Sequence, residues 1–133
     1  MNRLKSVAVV AAVVLVTCVL VLHAQQAGAQ RNILTKHDLS SFPGHEGVVA
    51  QVIFAPGARE PRHTHPGDYF CYVQEGSLTL TVEGQAAVTV KPGEVFFVPA
   101  GKVHWGENAA AGTTKLLVTF VVEKGKPLTS PAQ

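Results

Sequence analysis

The sequence predicts an all-β domain, a sandwich or barrel of short strands. Three observations indicate this class. Short apolar stretches follow one another at close spacing and are divided by turns rich in Gly and Pro. Residues 77–82 alternate strictly between polar and apolar, which is typical of a half-buried strand. No stretch after residue 29 shows the 3.6-residue periodicity of an amphipathic helix.

The start of the chain has the composition of an export signal. A basic head with Arg3 and Lys5 precedes an apolar run over residues 6–22, and small residues follow at 27–29. We therefore predict a signal peptide over residues 1–29 and an exported protein, periplasmic or secreted. The apolar run is near the lower limit for spanning a bilayer, so an uncleaved membrane anchor is the alternative.

Length and charge limit what the rest of the chain can be. Removing residues 1–29 from the 133 leaves roughly 100 residues, enough for one small domain. All nine acidic residues and nine of the eleven basic ones lie in that part, so it is formally neutral. No basic patch favours nucleic acid as a partner. Cys71 is the single cysteine after residue 29, so no internal disulfide can form there.

The first part of the domain is predicted to be an N-terminal arm over residues 30–47, followed by a strand and an irregular segment. Residues 30–39 within the arm favour a short edge strand, and a turn-forming loop follows. Residues 48–54 are β-branched and apolar, as in a strand. Residues 59–65 are expected to be extended, but Pro61 marks them as an edge or irregular strand.

The middle of the domain is predicted to contain four strands separated by turns that contain Gly. Each strand is bounded by a Gly or Pro that favours a tight connection. The last of the four is fully apolar. The predicted strands cover residues 69–74, 77–82, 85–90 and 95–98.

The last part of the domain is predicted to contain two strands and a tail. Residues 103–107 form a short strand, and residues 113–122 form a long final strand rich in Leu, Val and Phe. The tail over residues 123–133 has two prolines and few apolar residues. We expect it to be frayed or docked on a partner.

Three histidines are candidate metal ligands. His63 and His65 are two residues apart, so in an extended segment both side chains leave the same face. His104 lies about forty positions later, and a barrel of short strands could bring it opposite the first pair. A backbone or water hydrogen bond explains any one buried histidine. Three of them in this arrangement favour a shared metal ion.

Two stretches of the chain resemble the paired motifs of the cupin family. The first motif places a glycine five residues before His-x-His, then a glutamate, then a second glycine. Gly57, His63, His65 and Gly76 fit this pattern, whereas Tyr69 stands where the motif has the glutamate.

The second motif matches at every fixed position, with Gly93, Pro99, Gly101, His104 and Asn108. The resemblance implies a double-stranded β-helix, the jelly-roll form of a β-barrel. It covers residues 48–122, which we predict to be a single cupin barrel. The partners that it implies are a small-molecule substrate or ligand and, as a family-level expectation, a second copy of the chain.

The resemblance implies one divalent metal ion held by His63, His65 and His104. Neutral imidazole binds Fe, Mn, Cu, Ni and Zn, so the ligand set leaves the identity of the metal open. Three protein ligands leave coordination positions free, as a catalytic metal requires.

Tyr69 is the departure from the motif and the candidate catalytic residue. Three roles are open: the side chain ligates the metal as phenolate, it hydrogen-bonds to a water molecule or substrate at the metal, or it fills space. We expect the second, because a phenol with an ordinary pKa near 10 is neutral at pH 7.

The resemblance leaves three functions open. The first is a dioxygenase similar to the cupins that cleave quercetin or diketones. Without the glutamate, the site resembles the trihistidine cupins that hold ferrous iron and activate dioxygen, such as the thiol and diketone dioxygenases. The second is a non-catalytic module that binds or senses a small ligand. The third is a lyase or isomerase that uses the metal as a Lewis acid. Fold and ligands together do not select among them.

Overall fold

A computed structural model describes residues 28–133, which form ten β-strands and no helix. The all-β prediction is therefore confirmed for this part of the chain. Turns with Gly at positive φ, such as Gly84 and Gly93, connect consecutive strands. The strands are β1 (Gln30–Asp38), β2 (His45–Phe54), β3 (His63–Thr64), β4 (Asp68–Glu75), β5 (Leu78–Val82), β6 (Val88–Val90), β7 (Val95–Val98), β8 (His104–Glu107), β9 (Thr114–Glu123) and β10 (Ser130–Pro131).

The strands pair into two antiparallel sheets of five strands each. The first sheet has the order β1-β2-β9-β4-β7, and the second has the order β10-β3-β8-β5-β6. Burial alternates along β2, β5 and β9, so each sheet turns one face inward. The core between the sheets includes Val48, Ala50, Val52, Phe54, Val73, Leu78, Leu80, Leu116, Val118, Phe120 and Val122.

The N-terminal arm contains the edge strand that was predicted at residues 30–39. β1 spans Gln30–Asp38 and pairs along β2, which itself begins at His45. Its side chains are almost all exposed, so backbone hydrogen bonds and ion pairs hold it to the sheet. Lys36 Nζ lies 2.8 Å from the carboxylate of Glu46, which is buried.

The C-terminal tail contacts the barrel, contrary to the expectation that it is frayed. Ser130 and Pro131 pair with β3, and the amide of Ala132 donates to the carbonyl oxygen of Arg62 at 3.0 Å. Leu128 packs against the core. The composition of the tail did not predict this contact, because backbone pairing and a single apolar side chain hold the tail to the barrel.

Two other predicted strands are shorter in the structure. The segment at residues 59–65 contains only β3 and an isolated bridge between Arg59 and Glu107, as the irregular character of a Pro-containing segment allows. The strand predicted at 85–90 begins only at Val88. β7 has the predicted bounds, and its Val95 and Phe97 are exposed.

The predicted signal peptide lies almost wholly outside the described residues. No helix within residues 28–133 is long and apolar enough to cross a membrane. Cleavage, anchoring and export therefore stay predictions.

The asparagine of the second motif has a structural role. Asn108 is fully buried, and its amide nitrogen lies 3.3, 3.1 and 2.8 Å from the carbonyl oxygens of Phe54, Ala55 and Gly112. Its side-chain oxygen accepts a hydrogen bond from the amide of Ala110 at 3.1 Å. One side chain thus joins the end of β2 to the loop before β9.

We expect Asn108→Ala to lower the free energy of unfolding by about 2–4 kcal/mol, because several buried backbone groups lose their partner. Urea unfolding of the metal-free protein measures this, with the exposed Asn32→Ala as the matched control. Equal stability of the two variants would contradict the structural role.

Candidate metal centre

Adjacent strands of the second sheet bring the three candidate histidines together. His63 on β3 and His104 on β8 are direct cross-strand partners, and His65 follows His63 by two residues. All three side chains are buried, and one ring nitrogen of each lies within 4.8 Å of those of the other two. The prediction that these histidines lie together is confirmed, and they could hold a metal ion.

Backbone carbonyls fix the orientation of all three rings. The Nδ1 atom of His63 lies 2.8 Å from the carbonyl oxygen of Pro61, and that of His104 lies 3.0 Å from the oxygen of Lys102. The Nδ1 atom of His65 lies 2.6 Å from the oxygen of Leu128 in the tail. A carbonyl oxygen only accepts, so each Nδ1 carries the hydrogen and each Nε2 has a free lone pair.

The free lone pairs fit a metal ion. The Nε2 atom of His65 is buried and has no hydrogen-bond partner within the part of the chain that the structure describes. A buried polar atom without a partner is costly, and a metal ion would supply the partner. A histidine that donates Nδ1–H to a carbonyl is also the usual arrangement of metal-binding histidines.

Burial keeps two of these imidazoles neutral. It lowers the pKa of His65 to about 3 and that of His104 to about 4, because a charged ring loses its hydration there. The neutral form is the one that binds a divalent metal.

The first sheet provides the opposite wall of the site. The ring of Tyr69 lies 4.8 Å from that of His65 and 5.7 Å from that of His104, centroid to centroid. Phe120 contacts both His65 and Tyr69, at 4.9 and 5.1 Å. Burial is the largest cause that raises the pKa of Tyr69 well above its ordinary value, and the charges of Cys71 and Glu60 add to it. Tyr69 thus faces the histidines as a neutral phenol, and its role in catalysis stays a prediction.

Strand alternation in β4 agrees with the expected faces. Tyr69 and Cys71 are buried with the histidines, whereas Phe70 and Tyr72 are 45% and 43% exposed on the outer face. Burial raises the pKa of the Cys71 thiol to about 12, which leaves it as a small neutral side chain. Asp68 points outward and accepts a hydrogen bond from the amide of Ala100, so it is not a substitute ligand.

The aromatic and basic residues beside the site belong to the outer surface of the second sheet. The guanidinium groups of Arg59 and Arg62 lie 5.9 and 5.5 Å from the ring centre of Trp105. Arg62 also forms an ion pair with Glu83. Trp105 therefore packs under two arginines and does not face the histidines.

Three features of the site were not predicted from the sequence. The first is the Leu128 carbonyl described above, which has no side-chain signal. The second is Arg31 on β1, whose guanidinium lies 5.5 Å from the ring centre of Phe120 and donates to Thr129 Oγ1 at 2.8 Å. The third is Glu60, which alternation would place on the face opposite His63.

A cavity of about 300 Å³ lies beside His63. Its wall includes His63 and Glu60 from the segment around β3, and Thr129 and Pro131 from the tail. Ala29, just before β1, lines it as well. The cavity gives a small molecule a place next to one of the three histidines.

Comparison with known proteins identifies the family of the fold. The family model described as "Cupin domain" matches residues 50–120, which is more than half of the chain. A double-stranded β-helix protein from Klebsiella pneumoniae superposes with a TM-score of 0.64 at 18% identity, over 80% of this chain and 85% of that one. Identity at that level supports the fold alone.

Two curated relatives are similar in sequence. Germin-like protein 1-1 of Oryza sativa subsp. japonica is 36% identical over 95 residues, 65% of this chain and 44% of the relative. The (R)-mandelonitrile lyase of Granulicella tundricola is 36% identical over 75 residues, 56% of each chain. The chain therefore spans about half the length of the curated relatives that it matches.

Proposed function

The chain belongs to the cupin family, and from that premise we propose that it binds one divalent metal ion through His63, His65 and His104 and acts on a small organic molecule. The observation that carries the proposal is the convergence of three buried imidazoles, each with Nδ1 bonded to a carbonyl and Nε2 free. Such a ligand set accepts Fe, Mn, Cu, Ni or Zn.

Each part of the site has a separate task in this proposal. A metal bound by three protein ligands supplies Lewis acidity at its open positions. The cavity beside His63 admits the substrate, and the Tyr69 hydroxyl donates a hydrogen bond to a substrate oxygen. Phe96 and Phe120 flank Tyr69 and hold its ring in place, at 5.8 and 5.1 Å between ring centroids.

Among the reactions open to such a site, we favour a lyase that acts on a small hydroxy compound. The support is the similarity to the (R)-mandelonitrile lyase, which extends over the same fraction of both chains. The second candidate is the dioxygenase, and a ligand set without the motif glutamate favours it. The third candidate is the non-catalytic binding module.

Two assays on the same protein separate these functions. The full chain is purified, loaded with each of the five metals in turn, and given racemic mandelonitrile, whose cleavage to benzaldehyde and hydrogen cyanide is followed by absorbance. Oxygen uptake is measured with pentane-2,4-dione and with quercetin. We expect metal-dependent release of benzaldehyde, absent from a His104→Ala variant, and no oxygen uptake.

Two other outcomes would contradict the lyase proposal, and each would support one of the other functions. Oxygen uptake without benzaldehyde release would support the dioxygenase. Metal uptake with neither reaction, and with tight binding of small molecules, would support the binding module.

A further inference from the structure

Glu60 places a carboxylate on the wall of the cavity beside His63. The residue is half-buried, and within residues 28–133 it forms no ion pair. No side-chain hydrogen bond to its carboxylate occurs in that part of the chain either. Its backbone amide donates to the carbonyl oxygen of Gly106 at 2.9 Å, which ties the segment before β3 to β8.

The charge of Glu60 affects the pKa values of two residues inside the barrel. Burial is the largest cause that raises the pKa of Tyr69 and of Cys71, and the charge of Glu60 is a smaller one. Burial raises the pKa of Glu60 itself, and the neighbouring His63 and Arg31 oppose that effect. Glu60 and His63 line the same cavity.

We propose that Glu60 contacts the bound molecule and accepts a hydrogen bond from one of its hydroxyl groups, so that the cavity selects small hydroxyl-bearing molecules. This inference rests on the proposed function, because it concerns the same cavity and the same three histidines.

The carboxylate on the cavity wall favours a ligand that carries a hydrogen-bond donor. A partly desolvated carboxylate is stabilised by a donor, and a ligand without one leaves it unpaired at a cost. A carboxylate ligand would instead need a free cation on the wall. Arg62 lies there, but it is paired with Glu83 and stacked on Trp105.

The test compares two probes that differ in one hydroxyl group. The full chain is loaded with zinc, which is not redox-active, and titrated calorimetrically with 4-nitrocatechol and with 2-methoxy-4-nitrophenol, its methyl ether. The variants are Glu60→Gln, which keeps the shape without the charge, and Glu60→Met, which also removes the acceptor. Glu75→Gln is the control, since Glu75 pairs with Lys115 on the surface.

We expect 4-nitrocatechol to bind Glu60→Gln about 10-fold more weakly and Glu60→Met up to about 100-fold more weakly than the parent. The preference for the catechol over its ether should shrink in both variants and persist in Glu75→Gln. The zinc content of all four proteins should be equal.

The contradicting outcomes separate this proposal from the proposed function. Zinc bound in every protein, with the same preference in parent and variants, would overturn the role of Glu60 alone, since chelation by the metal would then explain the preference. A zinc-loaded parent that binds neither probe would overturn the selectivity for hydroxyl-bearing molecules. A parent that takes up no zinc or other divalent metal would contradict the proposed function itself.

Discussion

Replacing His104 with alanine is expected to abolish metal retention. His104 is the only one of the three candidate ligands that comes from β8, so its removal leaves two neighbouring histidines on one side of the site. Losing an outer-shell partner of a ligand costs about 10- to 100-fold in metal affinity. Losing the ligand itself should cost more than that.

Competition with a chromogenic chelator measures the affinity of the full chain and of its variants for zinc. His37→Ala is the matched control, since His37 lies on the exposed strand β1. Because His104 is buried, His104→Asn provides a second variant, and circular dichroism verifies that each protein is folded. Zinc affinity that is equal in the folded parent and both His104 variants would contradict the assignment of this ligand.

Removing residues 127–133 is expected to lower metal affinity about 10- to 100-fold while the barrel stays folded. The truncation deletes the Leu128 carbonyl, which holds the Nδ1–H of His65 at 2.6 Å and so directs its Nε2 toward the other two histidines. The barrel should persist because the tail adds only the two-residue strand β10 at the edge of one sheet.

A shorter truncation isolates this effect. Removing residues 132–133 deletes the Ala132 hydrogen bond to Arg62 but keeps the Leu128 carbonyl and β10. We expect near-parental zinc affinity for the shorter truncation and a clear loss for the longer one. If both truncated proteins are folded and bind zinc with the parental affinity, the tail has no role in positioning His65.

Local sequence signals predicted the all-β class and the shared face of His63 and His65, and the family resemblance added the barrel form and His104. Turns with Gly and Pro mark where strands end, and strict alternation identifies a half-buried strand, so β5 and β7 were located closely. The spacing of His63 and His65 gave their shared face directly. The second motif added His104, and the sheet places it opposite His63.

Features that depend on tertiary contacts were not predictable in this way. Every residue has a backbone carbonyl, so nothing in the tail distinguishes Leu128 as the acceptor for His65. The edge strand β1 was predicted, but its pairing with β2 was not, because composition does not identify the partner of a strand. The position of Glu60 on the cavity wall was not predicted, because the alternation of side chains along a strand does not hold in the irregular segment before β3. Pro61 interrupts the backbone hydrogen bonding of that segment.

The most direct test of the account is the metal content of the full chain, purified without chelator and measured by inductively coupled plasma mass spectrometry. We expect about one equivalent of a divalent first-row metal per chain. Metal-free protein prepared with a chelator should take up one equivalent again. A parent protein that contains no metal and takes up none of iron, manganese, copper, nickel or zinc would contradict the metal centre on which the proposed function depends.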